Sequence, residues 1–163
     1  MRVIFTILLF VSSIFANGFD FKNLTQEQKE TLKEIKQKGD EYGLGYTLMA
    51  IAIKESKLGE YMINLDTKDF GIYQINLKTA LNRNNLKDTV WNRNFLASKL
   101  VSDFDFATKN AIDELAYWQK VHKNNWAKVW GSYNAGFKYN SKQGKEYSKH
   151  IASIIQELKK LDV

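Results

Sequence analysis

A glutamate lies on a helical face that is otherwise apolar. Leu48, Ile51, Ala52 and Glu55 follow the spacing i, i+3, i+4, i+7, which places them on one side of a helix. A carboxyl group on such a face loses contact with water, and this disfavours its charged form, so we expect its pKa to be raised. Glu55 is therefore a candidate general acid. Because lysines flank it on both sides, the alternative is that it points to solvent.

Three later segments carry groups of the kind that line ligand clefts. Gly71 lacks a side chain at a point where a backbone could approach a ligand, and Gln74 places an amide among apolar neighbours. Tyr133 and Asn134 end a tryptophan-containing helix, and Tyr147 begins the last one. Taken singly, these segments are better explained as a turn, a helix C-cap and a core tyrosine.

The first sixteen residues have the pattern of a secretory signal peptide. A short basic start is followed by an apolar run and a small residue, Ala16, that suits cleavage. The apolar run is shorter than the ~20 residues that a membrane-spanning helix needs. We therefore expect export to the periplasm or cell envelope, with no stable membrane anchor after cleavage. The chain has no Cys, so disulfides and lipid attachment at a cysteine are excluded.

Residues 17–163 are predicted to form a single domain. Removal of residues 1–16 from 163 leaves 147, which is enough to bury a core. The net charge of +6 permits an anionic partner, but the lysines are mixed with glutamates along the chain. Only Arg83 and Arg93 follow the signal segment, and bidentate phosphate or base recognition favours arginine, so nucleic acid is not expected as a partner.

Helical periodicity recurs along most of the chain and predicts a mainly α fold. Thr25 to Gln28 fits a capping box, and Gly59 follows the helix that carries Glu55. Between Glu60 and Ile75 the helical period is lost, which predicts an irregular lobe or at most a small β-hairpin. Further helices are predicted at about 77–84, 89–102, 106–122, 126–133 and 144–161.

The order of these motifs resembles that in the lytic transglycosylases. The segments are Glu55-Ser56, Gly71-Ile72-Tyr73-Gln74-Ile75, Tyr133-Asn134-Ala135-Gly136 and Tyr147. The similarity is to the goose-lysozyme-like catalytic domain of the soluble lytic transglycosylases. It implies a lysozyme-like helical domain with a long substrate cleft. It also implies cleavage of the β-1,4 bond between N-acetylmuramic acid and N-acetylglucosamine in peptidoglycan.

The resemblance assigns a catalytic role to one carboxyl group. Glu55 matches the single acid/base of the family, and Ser56 matches the hydroxyl that positions the sugar or the glutamate. Tyr147 matches the tyrosine near the catalytic carboxyl group, so we expect its hydroxyl within hydrogen-bond reach of Glu55. The implied reaction ends in a 1,6-anhydro sugar and consumes no water.

The resemblance assigns five further residues to the substrate cleft, four of which match the family. Gly71 and Gln74 correspond to its glycine and glutamine, and Tyr133 and Asn134 to its cleft-lining pair. Tyr73 stands where many relatives carry Met, so its packing against substrate is expected to differ.

Two other functions compete with this interpretation. A lysozyme on the same scaffold would need a second carboxylate to activate water, and Asp66 or Asp69 could supply it. Asn76 stands where goose-type lysozymes often carry Asp, which favours the transglycosylase. The second rival is a peptidoglycan-binding module that has lost catalysis, and the retained Glu55 argues against it.

Peptidoglycan glycan strands are the expected partner, and no cofactor or metal is predicted. His122 and His150 lie far apart in the sequence, without the spacing of a metal site. The small size of the chain is similar to that of transglycosylases that accompany envelope-spanning secretion or conjugation machines, and such a machine is a further predicted partner.

Overall fold

The computed structural model describes residues 19–161, and within them the fold is mainly helical, as predicted. Seven α-helices and three very short strands follow one another in this range. The helices are α1 Gln26–Asp40, α2 Gly45–Ser56, α3 Leu77–Arg83, α4 Val90–Ser102, α5 Phe104–His122, α6 Trp126–Ala135 and α7 Lys142–Leu158, and a 3₁₀ turn spans Gly136–Lys138.

The segment without helical period forms a small antiparallel sheet. Its strands are β1 Ile63–Asn64, β2 Asp69–Phe70 and β3 Ile75–Asn76. They lie side by side in the same order as in the sequence, with β2 in the middle. Phe70 pairs with Ile63 on one side and with Ile75 on the other. The region therefore has one strand more than a hairpin, because the turn after β2 returns the chain to the same sheet before α3 begins.

Helix α2 lies at the centre of the core. Its residues Thr47 to Ile53 are all buried, so this part of the helix is enclosed around its whole circumference and not only along one stripe. Helix α1 packs on one side of it and α7 on another. A helix enclosed in this way holds the position of its last turn, where Glu55 lies.

Side-chain caps set several helix starts. The predicted capping box is present: Thr25 accepts from the backbone N–H of Gln28, whose side chain accepts from the N–H of Thr25. Asp103 caps α5 and Ser141 caps α7, so both helices begin two residues earlier than predicted. Helix α7 ends at Leu158, short of the predicted 161, and α6 continues to Ala135.

Gly71 joins the small sheet to the helical body. Its φ angle is +81°, and a Cβ atom there would lie 2.2 Å from the carbonyl oxygen of Leu100 in α4. The predicted close approach at Gly71 is therefore real, but the group that approaches is the backbone of α4 and not a ligand. Gly71 is itself buried.

Ser56 makes a second connection between these parts. Its hydroxyl contacts the carbonyl oxygens of Ile72 at 2.7 Å and Ala52 at 3.1 Å, and it accepts from the backbone N–H of Gly59 at 2.9 Å. The end of α2 and the segment after β2 are thus linked through one buried side chain. Such a buried polar group needs these partners to offset its lost hydration.

The predicted signal peptide, residues 1–16, lies outside the described residues. Between residues 19 and 161 no helix has both the length and the hydrophobicity to cross a bilayer.

We expect Gly71→Ala to lower the free energy of unfolding by about 2–4 kcal/mol, because the left-handed backbone and the contact with Leu100 both penalise a Cβ atom. Gly43→Ala is the matched control, since its φ is +68° but nothing lies within 4 Å of the added atom. The control should lose only about 1 kcal/mol. Urea unfolding of the two variants measures the difference, and equal losses would contradict the contact.

Candidate active site

Glu55 lies in the last turn of α2, below which Leu48, Ile51 and Ala52 are fully buried. Its side chain is partly buried. Desolvation raises the pKa of its carboxyl group from 4.5 to about 7, against opposing effects from a Tyr147 hydrogen bond and the nearby Lys54 charge. The raised pKa is the one that the apolar stripe predicts. Glu55 can therefore exist in both protonation states near neutral pH.

Tyr147 contacts this carboxyl group from the last helix. Its hydroxyl donates to Glu55 Oε1 at 2.5 Å across 92 positions of sequence, so the predicted proximity is present. The packing of α7 on α2 brings the two side chains together. Tyr147 is buried, and burial followed by the nearby Glu55 charge raises its pKa well above the usual value. It therefore remains a hydrogen-bond donor at physiological pH.

Two cavities meet at Glu55. The first has a volume of about 300 Å³ and the second about 380 Å³, and both are lined by Glu55 and Gln74. The other residues lining the second cavity are Tyr61, Ile63, Asn64, Leu65 and Asp66. Those lining the first are Asp69, Ile75, Asn76, Thr79, Glu114, Trp118, Ser132, Tyr133, Asn134 and Gly136. The carboxyl group thus lies between two adjoining spaces, of which the first has the more polar walls.

Gln74 is fixed at the junction of these cavities. Its side-chain amide donates to the carbonyl oxygens of Tyr61 at 3.1 Å and Gly71 at 2.9 Å. Its backbone has a positive φ of 47°, in the turn between β2 and β3. The turn and both hydrogen bonds hold the side chain beside Glu55.

Tyr133 and Asn134 line the first cavity from the end of α6. The Tyr133 hydroxyl donates to the backbone carbonyl of Tyr73 at 3.0 Å, which ties α6 to the segment after Gly71. Burial, and after it the charge of Glu55, raises the pKa of Tyr133 well above its usual value. Asn134 is exposed, and its side-chain oxygen accepts from Gln143 at 2.9 Å.

Three residues predicted at the substrate cleft do not present side chains to it. Tyr73 is fully buried, and its hydroxyl lies 3.2 Å from that of Thr108, so it packs in the core and not against a substrate. Ser56 is also fully buried, which leaves no surface for direct contact with a sugar. Gly71 faces Leu100. These motif residues shape the site through the backbone that they hold.

Glu114 is a carboxylate of the first cavity that the sequence analysis did not identify. It pairs with Arg83 at the end of α3 and accepts from the indole N–H of Trp118 one turn later. The sequence pattern around Glu114 resembles that around Glu55, because Glu114 lies three residues after the buried Ala111 and four residues before the buried Trp118. An acidic residue on the inner face of α5 was therefore visible in the pattern.

The two aspartates considered as water-activating groups lie in different cavities. Asp69 lines the first and accepts from the Asn76 amide at 2.8 Å across the β2–β3 pair. Its charge makes a minor contribution to the raised pKa of Glu55. Asp66 lines the second cavity. Asn76 also caps α3 by accepting from the N–H of Lys78, so its side chain is committed to structural contacts.

Between residues 19 and 161 no group of three or more acidic, His or Cys side chains is arranged to hold a metal ion. The His122 ring nitrogen Nε2 lies 2.7 Å from the Ser132 hydroxyl, and His150 is exposed.

The pKa of Glu55 predicts a pH-dependent stability. Between pH 4.5 and about pH 7, Glu55 is protonated in the folded state but ionised in the unfolded state. Stability therefore falls as the pH rises through this window. Glu55→Gln has no such proton. As the pH rises from about 5 to about 8, we expect the free energy of unfolding of Glu55→Gln to increase by about 2 kcal/mol relative to that of wild type. This figure allows for the partial exposure of Glu55.

Urea unfolding at both pH values measures this gain. Glu60→Gln, which makes the same substitution at an exposed glutamate, is the matched control. If the free energy of unfolding changed with pH equally in wild type and in Glu55→Gln, the pKa of Glu55 would not be raised.

Comparison with known proteins places this arrangement in a family. The chain is 30% identical over 122 residues to an uncharacterized 20.7 kDa protein in the vs-regB intergenic region of Enterobacteria phage T4. The match covers 72% of this chain and 64% of the length of that protein. No solved structure matches the chain significantly. The family model described as the transglycosylase SLT domain matches residues 33–155, a range that extends from α1 to α7 and includes Glu55 and Tyr147. The chain therefore belongs to the SLT transglycosylase family, whose lysozyme-like fold its helices and small sheet share.

Proposed function

We propose that this protein is a peptidoglycan lytic transglycosylase that cleaves the β-1,4 bond between N-acetylmuramic acid and N-acetylglucosamine. Membership of the SLT family supports the reaction class. The observation that carries the proposal is the Glu55 carboxyl group, which has a pKa of about 7, accepts a hydrogen bond from Tyr147 and lies where two cavities meet. A bond of a glycan strand that runs through both cavities would lie beside this group.

In the first step Glu55 acts as a general acid. Its proton moves to the oxygen of the glycosidic bond as the bond between this oxygen and the anomeric carbon breaks. Assistance of this kind contributes ~10²- to 10⁴-fold to the rate. The raised pKa keeps a substantial fraction of Glu55 protonated at neutral pH, whereas an ordinary exposed glutamate is almost fully ionised there.

In the second step the same group acts as a base. The 2-acetamido oxygen of the substrate stabilises the positive charge at the anomeric carbon, so no second protein carboxylate is needed. The ionised Glu55 then takes the proton of the muramic acid 6-hydroxyl as that oxygen bonds to the anomeric carbon. Tyr147 stabilises the ionised form between the steps because its hydroxyl donates to the carboxylate.

Other site residues act as positioning groups in this proposal. Gln74, Tyr133 and Asn134 present polar groups to the first cavity and orient the strand. Ser56 and Gly71 act indirectly: Ser56 holds the end of α2 against Ile72, and Gly71 lets the small sheet pack on α4. Of the two roles predicted for Ser56, positioning of the glutamate fits its burial.

A lysozyme that hydrolyses the same bond is the second candidate. Asp69 and Glu114 line the same cavity as Glu55, so carboxylates that could activate water are present there. Both accept hydrogen bonds from other side chains, Asp69 from Asn76 and Glu114 from Arg83 and Trp118, which favours a fixed structural or binding role over proton transfer. A catalytically inactive peptidoglycan-binding module is the third candidate.

Peptidoglycan as substrate requires a location outside the cytoplasm. We propose that the exported protein works in the periplasm or cell envelope as one domain, residues 17–163. The signal peptide and the association with a secretion or conjugation machine stay predictions.

We expect Glu55→Gln to reduce the release of soluble fragments from purified sacculi by at least ~100-fold, because glutamine fills the same space but cannot donate and recover a proton. Glu60→Gln should retain wild-type activity, since this exposed residue lines neither cavity. Both variants should unfold cooperatively. A Glu55→Gln variant with more than about a tenth of the wild-type rate would rule out the assignment.

The product distinguishes the two enzymatic candidates. The muramic acid 6-hydroxyl is held in the cleft with the reacting carbon, and this proximity advantage can reach several kcal/mol over solvent water. We therefore expect mass spectrometry of the released fragments to show 1,6-anhydro ends that borohydride does not reduce. Fragments heavier by one water and reducible would identify a lysozyme. Sacculi that bind the protein but release nothing would identify the binding module.

A further inference from the structure

The α5 side of the first cavity carries a carboxylate that the proposed reaction does not use. Glu114 contributes one oxygen to Arg83 and the other to the Trp118 indole. A carboxylate can accept about four hydrogen bonds, so acceptor capacity remains on both oxygens. Its side chain is 14% exposed, and it lines the cavity. Glu114 therefore presents a fixed, charged acceptor to whatever enters.

An exposed aromatic ring contacts Trp118, the residue whose indole donates to this carboxylate. Phe137, which follows Gly136 of the cavity wall, is 73% exposed. Its ring contacts Trp118 edge to face, with centroids 5.1 Å apart. Trp118 is almost fully buried and contacts both Phe137 and Glu114. The carboxylate and the exposed ring thus share Trp118 as a common neighbour.

Packing behind Trp118 fixes the arrangement. The His122 ring stacks on the indole at 5.7 Å with an interplanar angle of 12°, and its Nε2 atom contacts the Ser132 hydroxyl at 2.7 Å. This packing limits the movement of the Trp118 indole, and an indole that is already ordered lowers the entropic cost of binding beside it.

We propose that Glu114 and Phe137 form a sugar-binding subsite on the α5 side of the first cavity. A hexose of the glycan strand packs its apolar C–H face on the exposed Phe137 ring and donates a hydroxyl or N-acetyl N–H hydrogen bond to Glu114. An acceptor with an adjacent apolar ring fits the chemistry of a sugar, which has both donors and an apolar face. This inference rests on the proposed function, because it takes the cavity to hold a glycan strand.

The test uses the full chain with Glu55→Gln as the parent, so that ligand is not consumed. Calorimetry compares chitobiose with chitohexaose, which are short and long β-1,4-linked N-acetylglucosamine oligomers. We expect the parent to bind chitohexaose more tightly. Phe137→Ala and Glu114→Gln should each weaken chitohexaose binding by about tenfold, equivalent to ~1.4 kcal/mol, and leave chitobiose affinity unchanged.

Two controls separate binding from structure. Trp91→Ala removes a 78% exposed aromatic residue from α4, whereas Phe137 is linked to the first cavity through its contact with Trp118, so this variant should bind as the parent does. Arg83→Gln breaks the ion pair but leaves Glu114 as an acceptor, so it should keep most of the preference for the longer oligomer. An equal loss in Arg83→Gln and Glu114→Gln would overturn the role of Glu114 and leave only the ion pair.

The surface position of Phe137 keeps the proposal testable if Glu114→Gln fails to fold. Unchanged chitohexaose affinity in Phe137→Ala, or equal affinity of the parent for both oligomers, would overturn the subsite. The release of anhydro fragments from sacculi by the wild-type chain judges the proposed function independently of these results.

Discussion

Desolvation of the Glu55 carboxyl group depends on how the core is built. Helix α2 is enclosed by α1 and α7, so its last turn emerges from an apolar interior and brings a carboxyl group with it. This burial raises the pKa of Glu55, and the Tyr147 hydrogen bond limits the rise. The two opposing effects leave the pKa near neutrality, where a group can both donate and accept a proton. The hydrogen bond between Tyr147 and Glu55 forms only because α2 and α7 pack closely, so the helical core is part of the site.

Much of the cleft is held together by contacts to backbone carbonyl groups. Ser56 contacts the carbonyl of Ile72, Tyr133 donates to that of Tyr73, and Gln74 donates to that of Gly71. These carbonyls belong to consecutive residues after β2, and Gly71 lets the same segment approach α4. The turn that carries Gln74 is therefore fixed from α2, α4 and α6 together. Several motif residues act by holding this segment and not by contact with a ligand.

The first cavity has different chemistry on its two sides. Glu55, whose charge is disfavoured, lies where this cavity joins the second one, while Glu114 has an arginine as partner. A carboxylate beside a guanidinium is suited to accept hydrogen bonds from a neutral ligand, whereas a desolvated carboxyl is suited to transfer a proton. In the proposed function one wall serves binding and the other serves chemistry, although both carry the same functional group.

The sequence by itself determined the mainly helical fold, the position of Glu55 on an apolar stripe and the direction of its pKa shift, because these depend on local periodicity and hydration. Motif order also pointed to the family and to Tyr147. Tertiary structure decided which motif side chains reach the cleft: Tyr73 and Ser56 are buried, and Gly71 faces α4, because the segment after β2 packs against α2 and α4. It also decided which groups contact Glu114 and Phe137. Their partners come from α3 and from α5, and no local pattern specifies contacts between segments so far apart.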